Sequence, residues 1–301
     1  MQNRVIRIGS RESLLAQAQT DMVISELNEL GYECEKVLFK TTGDKMLDRP
    51  LRDFGGKAVF VTEIEDSLLA GDIDIAVHSA KDMPGELADG LGIAACLPRE
   101  DVHDVLVTRK GTQKEDIHVL GTSSLRRQCQ VDRYLNEVEV KDLRGNVPTR
   151  INKLKAGEYD AIILAAAGIR RLGIDKDPEL NYEYIDFDDS IPAAGQGIIA
   201  IESRESGEIH DIAARLNRPD SMTRLMTERA FMRAIGADCH DAVAAYSELE
   251  DGEIKLRVMK YIDDKCVVFS ADAQEDKGIQ LAEDLGEKML KAEQGQDTQE
   301  E

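Results

Sequence analysis

The feature that most constrains the fold is a joint that occurs twice. Leu69-Ala70-Gly71-Asp72-Ile73-Asp74-Ile75-Ala76 is echoed by Lys155-Ala156-Gly157-Glu158-Tyr159-Asp160-Ala161-Ile162. Each reads as a helix end, a glycine cap, an acidic residue and then an aspartate leading a buried strand. Strand-like and helix-like stretches alternate around these joints through the first two-thirds of the chain. Residues 5–8 pattern as a strand, 9–13 as a turn and 14–30 as a helix closed by Gly31. A strand at 37–39, a helix at 62–70 closed by Gly71 and a strand at 73–77 follow. Alternation of this kind is the signature of βαβ units and predicts a mainly parallel sheet. The paired joints predict two similar α/β lobes with site residues in the loops after each strand. Those loops are His78-Ser79-Ala80-Lys81-Asp82 and Gly168-Ile169-Arg170-Arg171. Such lobes are expected to face each other across a cleft, where open α/β sheets bind ligands. The bland alternative is that any helix–glycine–strand joint looks like this.

From about Pro219 the pattern changes. A helix over 221–235, strands at 243–246, 254–259 and 266–269, and a helix over 278–292 predict a small α+β domain. Residues 293–301 are polar and acidic and are expected to be disordered. The domain division read from the sequence is 1–97 with 198–215, then 98–197, then 216–292. The longest apolar run, 161–169, is nine residues, half the roughly 18 needed to span a bilayer. With no apolar signal core at the N-terminus, a cytoplasmic protein is expected. Five widely spaced cysteines without a C-x-x-C pair argue against a disulfide framework and against a zinc ribbon, and no metal is expected. Thirty-eight basic residues against 59 acidic ones leave a net charge of −21. A surface so acidic repels nucleic acid and anionic membranes, so neither is an expected partner. Arginines clustered in the loops of such a protein need a local explanation.

Three clusters stand out. Gly121-Thr122-Ser123-Ser124-Leu125-Arg126-Arg127 places hydroxyls before an arginine pair. Leu143-Arg144-Gly145-Asn146-Val147-Pro148-Thr149-Arg150 adds two arginines around a turn, and Gly168-Ile169-Arg170-Arg171-Leu172-Gly173 adds another pair. Guanidinium forks match carboxylates bidentately, and strand ends and helix starts add free backbone N–H groups. The set suits a ligand bearing several carboxylates, although any one arginine can equally serve a surface salt bridge. A second constellation, Ala76-Val77-His78-Ser79-Ala80-Lys81-Asp82-Met83-Pro84, delivers a Lys-Asp pair into a loop. Asp82 can act as a general acid or hold a developing cation, or simply close a turn, and His78 can be a hydrogen-bonded core residue. A third, Gly236-Ala237-Asp238-Cys239-His240-Asp241, sets a cysteine in a polar loop, as a nucleophile or an ordinary thiol.

Together these stretches resemble the hydroxymethylbilane synthase (porphobilinogen deaminase) family. The resemblance rests on Gly55-Gly56-Lys57-Ala58-Val59-Phe60, the Asp74 to Pro84 segment, the Gly121 to Cys129 segment, Leu143-Arg144-Gly145-Asn146-Val147, the Gly157 to Ala165 segment and Ile191-Pro192-Ala193-Ala194-Gly195-Gln196-Gly197, in family order over roughly residues 4 to 290. It implies two lobes like type-2 periplasmic binding proteins plus a small α+β C-terminal domain. It also implies a monomeric enzyme that joins four porphobilinogen units with loss of ammonia, primed by a dipyrromethane cofactor held through a thioether. By the same resemblance Cys239 is the attachment point and Asp82 the catalytic aspartate. Lys81, Ser124, Arg126, Arg127, Arg144 and Arg150 match cofactor-binding positions; Arg11, Ser13, Arg144, Arg150, Arg171 and Gln196 match substrate-binding ones. The cofactor loop departs from the family pattern, with Ala237-Asp238 before the cysteine, Ala242 at a usual proline and Ala244 where a glycine is common. Pro148 and Ala58 each stand where a glycine is usual. Two other readings remain at this point: a non-catalytic carboxylate-binding protein of the same fold, or a family member unable to load cofactor.

Overall fold

The computed structural model describes residues 5–40, 61–238 and 241–295. The chain opens with β1 (Ile6–Arg11), α1 (Leu14–Glu29) and β2 (Cys34–Phe39). It continues with α2 (Thr62–Ala70), β3 (Ile75–Ser79) and β4 (Leu91–Cys96). A second series follows: β5 (Asp104–Arg109), β6 (Val119–Gly121), α3 (Leu125–Gln128), β7 (Glu139–Lys141), α4 (Val147–Lys155), β8 (Ala161–Ala165), α5 (Ala166–Arg171) and β9 (Leu180–Tyr184). The last elements are β10 (Ile199–Arg204), α6 (Glu208–Ala214), α7 (Pro219–Ala234), β11 (Val243–Glu250), β12 (Glu253–Ile262), β13 (Lys265–Gln274) and α8 (Gly278–Glu293). Two compact units result, Met1–Glu100 with Gly197–Met222, and Asp101–Gln196 with Thr223–Glu301.

The first unit carries a five-stranded sheet in the order β2-β1-β3-β10-β4. The second carries a sheet ordered β7-β6-β8-β5-β9 and a separate meander, β11-β12-β13. The sheets are two α/β lobes and a small α+β domain, as the sequence indicates. They are mixed, however, not mainly parallel. β1 runs parallel to β2 and β3, and β6 to β7 and β8. β10 runs antiparallel to β3 and β4, and β5 antiparallel to β8 and β9. β5 and β10 each follow a strand of the other sheet rather than a βαβ crossover within their own, so nothing obliges them to run parallel.

The repeated joint is real. Gly71 and Gly157 close α2 and follow α4 with φ of 78° and 79°, a backbone region open to glycine at little cost. The following aspartates then do the same job twice. Asp74 Oδ2 accepts from the backbone N–H of Arg7, the second residue of β1, at 2.9 Å, and pairs with the Arg7 guanidinium. Asp160 Oδ2 accepts from the backbone N–H of Val119 at 2.9 Å, at the head of β6, and its other oxygen lies 3.6 Å from Arg109. In each lobe an aspartate leading the strand thus latches it to its parallel neighbour.

Other boundaries move. β1 runs on through Gly9-Ser10-Arg11, where a turn was expected, because these residues pair with Val37-Leu38-Phe39 of β2. Gly168 to Arg171 lies in α5, not in a loop. The three C-terminal strands extend to eight, ten and ten residues through their mutual antiparallel pairing. α8 continues through Glu293, the first residue expected to be disordered, and 296–301 lie outside the described residues. Its buried face, Leu281, Ala282, Leu285 and Met289, packs with Phe231 of α7 and Leu256 of β12. Gly121, which ends β6, is needed for close approach: a Cβ there would sit 2.8 Å from the Tyr159 ring and 3.1 Å from Ile162. Gly121→Val is therefore expected to destabilise the protein by about 1–3 kcal/mol, the cost of forcing bulk into a full core. Denaturant unfolding with the midpoint unchanged would refute that reading.

Candidate functional site

In the first unit, candidate residues gather where β1 and β3 end side by side. Arg11 is the last residue of β1 and Ser13 the N-cap of α1, its Oγ accepting from the Ala16 N–H at 3.3 Å. β3 ends at Ser79, whose hydroxyl exchanges hydrogen bonds with the Gln19 amide of α1 at 2.8 and 3.0 Å. A single helical turn, Ala80–Asp82, follows. Its apolar flanks are anchored: Ala80 and Met83 are buried, and the Ala80 N–H donates to Ile198 O at 3.0 Å. The residues between them, Lys81 and Asp82, stay half-exposed. Burial of the flanks thus presents the Lys-Asp pair on a fixed turn. His78 faces the core, with Nε2 2.9 Å from Glu202 Oε2, so it is a buried partner of β10 rather than a site residue.

In the second unit the arginines divide into two kinds. Arg126 and Arg127, on α3, are buried and converge on Asp104, the first residue of β5. Arg126 Nη2 lies 2.8 Å from Asp104 Oδ2, and Arg127 donates to Asp104 Oδ1 through Nη2 at 2.7 Å and Nε at 3.1 Å. Arg126 also donates to the Ile191 carbonyl at 2.6 Å, and Arg127 to the Ile163 carbonyl at 2.9 Å. Gln196 joins the same network, its amide donating to Val102 O at 2.6 Å and to Asp104 Oδ1 at 3.1 Å. Ser190 Oγ completes it at 3.0 Å from Asp104 Oδ2. Burial pushes the Asp104 carboxyl up, but the two guanidiniums more than offset this and hold it well below the usual carboxylate range. Burial also pulls the Arg126 guanidinium down against the pull of Asp104, from a starting value high enough that it stays cationic.

Arg144 and Arg150 are the second kind, half-exposed on either side of the Gly145 turn. Asn146 caps α4, its Oδ1 accepting from the Thr149 N–H at 3.0 Å, and the Arg150 Nε donates to Gly145 O at 2.7 Å. This turn is tied to the arginine-pair loop by Ser123, whose Oγ donates to Leu143 O at 3.1 Å and accepts from the Leu143 N–H at 3.0 Å. Ser124 is half-exposed at the N-cap of α3. Arg171 sits half-exposed at the end of α5, while its neighbour Arg170 pairs with Asp101 at 2.7 Å. Cys239 and the Gly55 to Phe60 motif lie outside the described residues.

Two buried carboxylates were not singled out by the sequence reading. Asp104 is one. Glu228 is the other: buried on α7, it accepts from the Ser247 N–H and hydroxyl at 2.8 and 2.7 Å and from the Gly195 N–H at 2.7 Å. The only signal was position, since an acid opening an apolar strand or sitting in a helix's apolar stripe needs a buried partner.

The two α/β lobes, the small three-stranded domain and the arginine-bearing loops define a class: a two-lobed α/β protein with basic loops at its strand ends. Residues 6–211 match the family domain described as "Porphobilinogen deaminase, dipyromethane cofactor binding domain", and residues 222–292 match "Porphobilinogen deaminase, C-terminal domain". The chain is 42% identical to the porphobilinogen deaminase of Geobacillus kaustophilus, over 96% of each chain. It is 44% identical to that of Syntrophobacter fumaroxidans, over 86% of this chain and 85% of the relative. Among solved structures, the periplasmic VFT2 domain of Bordetella pertussis BvgS is similar at a TM-score of 0.42 and 14% identity, covering 74% of this chain and 93% of that one. The chain belongs to the porphobilinogen deaminase family, whose members are transferases with a dipyrromethane cofactor-binding domain. Among the described residues no helix is long and apolar enough to cross a membrane.

Proposed function

We propose that this protein is an active hydroxymethylbilane synthase, joining four porphobilinogen molecules head to tail with loss of ammonia and releasing linear hydroxymethylbilane by hydrolysis. The observation that carries this is the ordered match of both family domains across residues 6–211 and 222–292. Donor chemistry supports it. Porphobilinogen bears two carboxylates, and a chain of net charge −21 can hold a growing polyanion only through dedicated cations.

Half-exposed Arg144 and Arg150, the Ser123-tied loops and the N-terminus of α4 fit a dipyrromethane bearing several carboxylates. When bound, that cofactor supplies the pyrrole on which the product is assembled. In this assignment Cys239 provides the thioether sulfur, and Lys81, Ser124, Arg126, Arg127, Arg144 and Arg150 hold the cofactor's carboxylates and polar edges. Arg11, Ser13, Arg144, Arg150, Arg171 and Gln196 orient the incoming substrate. Asp82, held on its anchored turn, assists departure of the ammonia and offsets the positive charge that develops on the substrate pyrrole. Asp104 acts through others, fixing Arg126, Arg127 and Gln196 in one geometry. The assignment includes a cytoplasmic monomer acting on small molecules without nucleic acid or membrane, with domains at 1–97 plus 198–215, 98–197 and 216–292.

Intact mass of the purified protein beside a Cys239→Ser variant tests the reading. The expected result is an excess equal to two linked pyrrole units in the parent and none in the variant. An unmodified parent that gains no mass on incubation with porphobilinogen or preformed hydroxymethylbilane would leave a binding protein or an enzyme unable to load cofactor. Arg11→Leu is expected to raise KM for porphobilinogen about tenfold, the worth of one charge-assisted hydrogen bond, with the fold intact. An unchanged KM would remove Arg11 from the site.

A further inference from the structure

Two cysteines that the enzymatic reading does not use meet in the second unit. Cys129 is the C-cap of α3, and Cys266 is the second residue of β13. The Cys266 Sγ donates to Cys129 O at 3.0 Å, and the Cys129 Sγ donates to Arg126 O at 3.2 Å. Both side chains border one small apolar cluster formed by Ile191, Ala244 and Met259, and both remain half-exposed. Chain positions 137 apart are thus brought together by packing of the meander against the segment that carries Arg126 and Arg127.

We propose that Cys266 and Cys129 form an oxidation-sensitive dithiol that peroxides convert to a disulfide, covalently joining β13 to the end of α3. The thiols differ in the way such a pair requires. The neighbouring Cys129 side chain pulls the Cys266 thiol down to about 7 against the effect of its burial, and Arg133 on the neighbouring turn adds to the pull. The same pairing, with burial, pushes Cys129 up, which makes Cys266 the nucleophile and Cys129 the resolving thiol in this proposal. Cys34, by contrast, is only pushed up by burial. The chemistry balances as follows. The Cys266 thiolate attacks one peroxide oxygen, the O–O bond breaks, and the sulfur becomes a sulfenic acid. The Cys129 sulfur then attacks that sulfur, its proton leaves with the hydroxide as water, and an S–S bond forms. Two thiols lose two electrons, and hydrogen peroxide is reduced to two waters. The link fixes the carbonyl end of α3, the helix whose arginines grip Asp104.

The full-length protein, as purified, is treated with a small molar excess of hydrogen peroxide at neutral pH, alkylated and mapped by peptide mass spectrometry. The expected product is a Cys129–Cys266 cross-linked peptide lighter by about two mass units than its reduced parts, restored by dithiothreitol. In Cys129→Ser, Cys266 should instead trap dimedone as the sulfenic acid, and Cys266→Ser should yield no link. Before oxidation, Cys266 should alkylate about tenfold faster than Cys34 at neutral pH. Oxidation of Cys266 without a link to Cys129, or alkylation no faster than at Cys34, overturns the proposal. The wild-type map needs no variant to fold.

Discussion

Replacing Asp82 with asparagine is expected to cut turnover by about two to four orders of magnitude, the range supplied by a positioned carboxylate in proton transfer or charge stabilisation. Thermal unfolding should be nearly unchanged. The reason lies in how the turn is built. Ala80 and Met83 supply the burial and the backbone bonds that hold the Ala80–Asp82 turn, and the Asp82 side chain stands half-exposed between them. Asparagine keeps the shape and removes the charge, so a large loss of kcat at an unchanged melting temperature isolates the carboxylate. Turnover at the parental rate would end the assignment. A parallel fall in melting temperature would show instead that Asp82 is part of the scaffold.

The second large effect is on stability. Asp104→Ala leaves two buried guanidiniums facing an empty space, and breaking such a pair typically costs about 3–5 kcal/mol. The full set of partners is lost together: Arg126, Arg127, Gln196 and Ser190 all reach this one carboxylate. A pH signature separates this from loss of packing alone. The folded protein holds the Asp104 carboxyl below its unfolded value, so its contribution is present above the ordinary carboxylate range, near pH 4. It is lost as pH falls from there through the folded value. Urea unfolding of the parent and of Asp104→Asn should therefore show a stability gap that is constant near neutrality and narrows below about pH 4. A gap that persists unchanged into acid would rule out the charge as its origin.

Much of the lobes could be read from neighbours in sequence. Helix α2 begins and ends at the expected residues because Gly71 supplies a local stop, and the Gly157 joint repeats it. The arginine-bearing loops were visible because cations concentrated in short turns of an acidic chain have no generic explanation. The extension of β1 through Arg11 was not visible, since the Gly9-Ser10 pair reads locally as a turn and becomes strand only by pairing with β2.

What the sequence by itself determined is therefore what short-range chemistry dictates: the helix stops, the twice-used helix–glycine–aspartate joint, the basic loops and the family motifs. Tertiary structure decided the strand directions of β5 and β10 and the division of the arginines into a buried pair and a half-exposed pair. It also decided the meeting of Cys129 with Cys266. Asp104 shows why. It binds Arg127, Ser190 and Gln196 at separations of 23, 86 and 92 residues. A buried charge is tolerated only where partners converge on it, and that convergence is a property of packed sheets and helices, with no trace in the residues on either side.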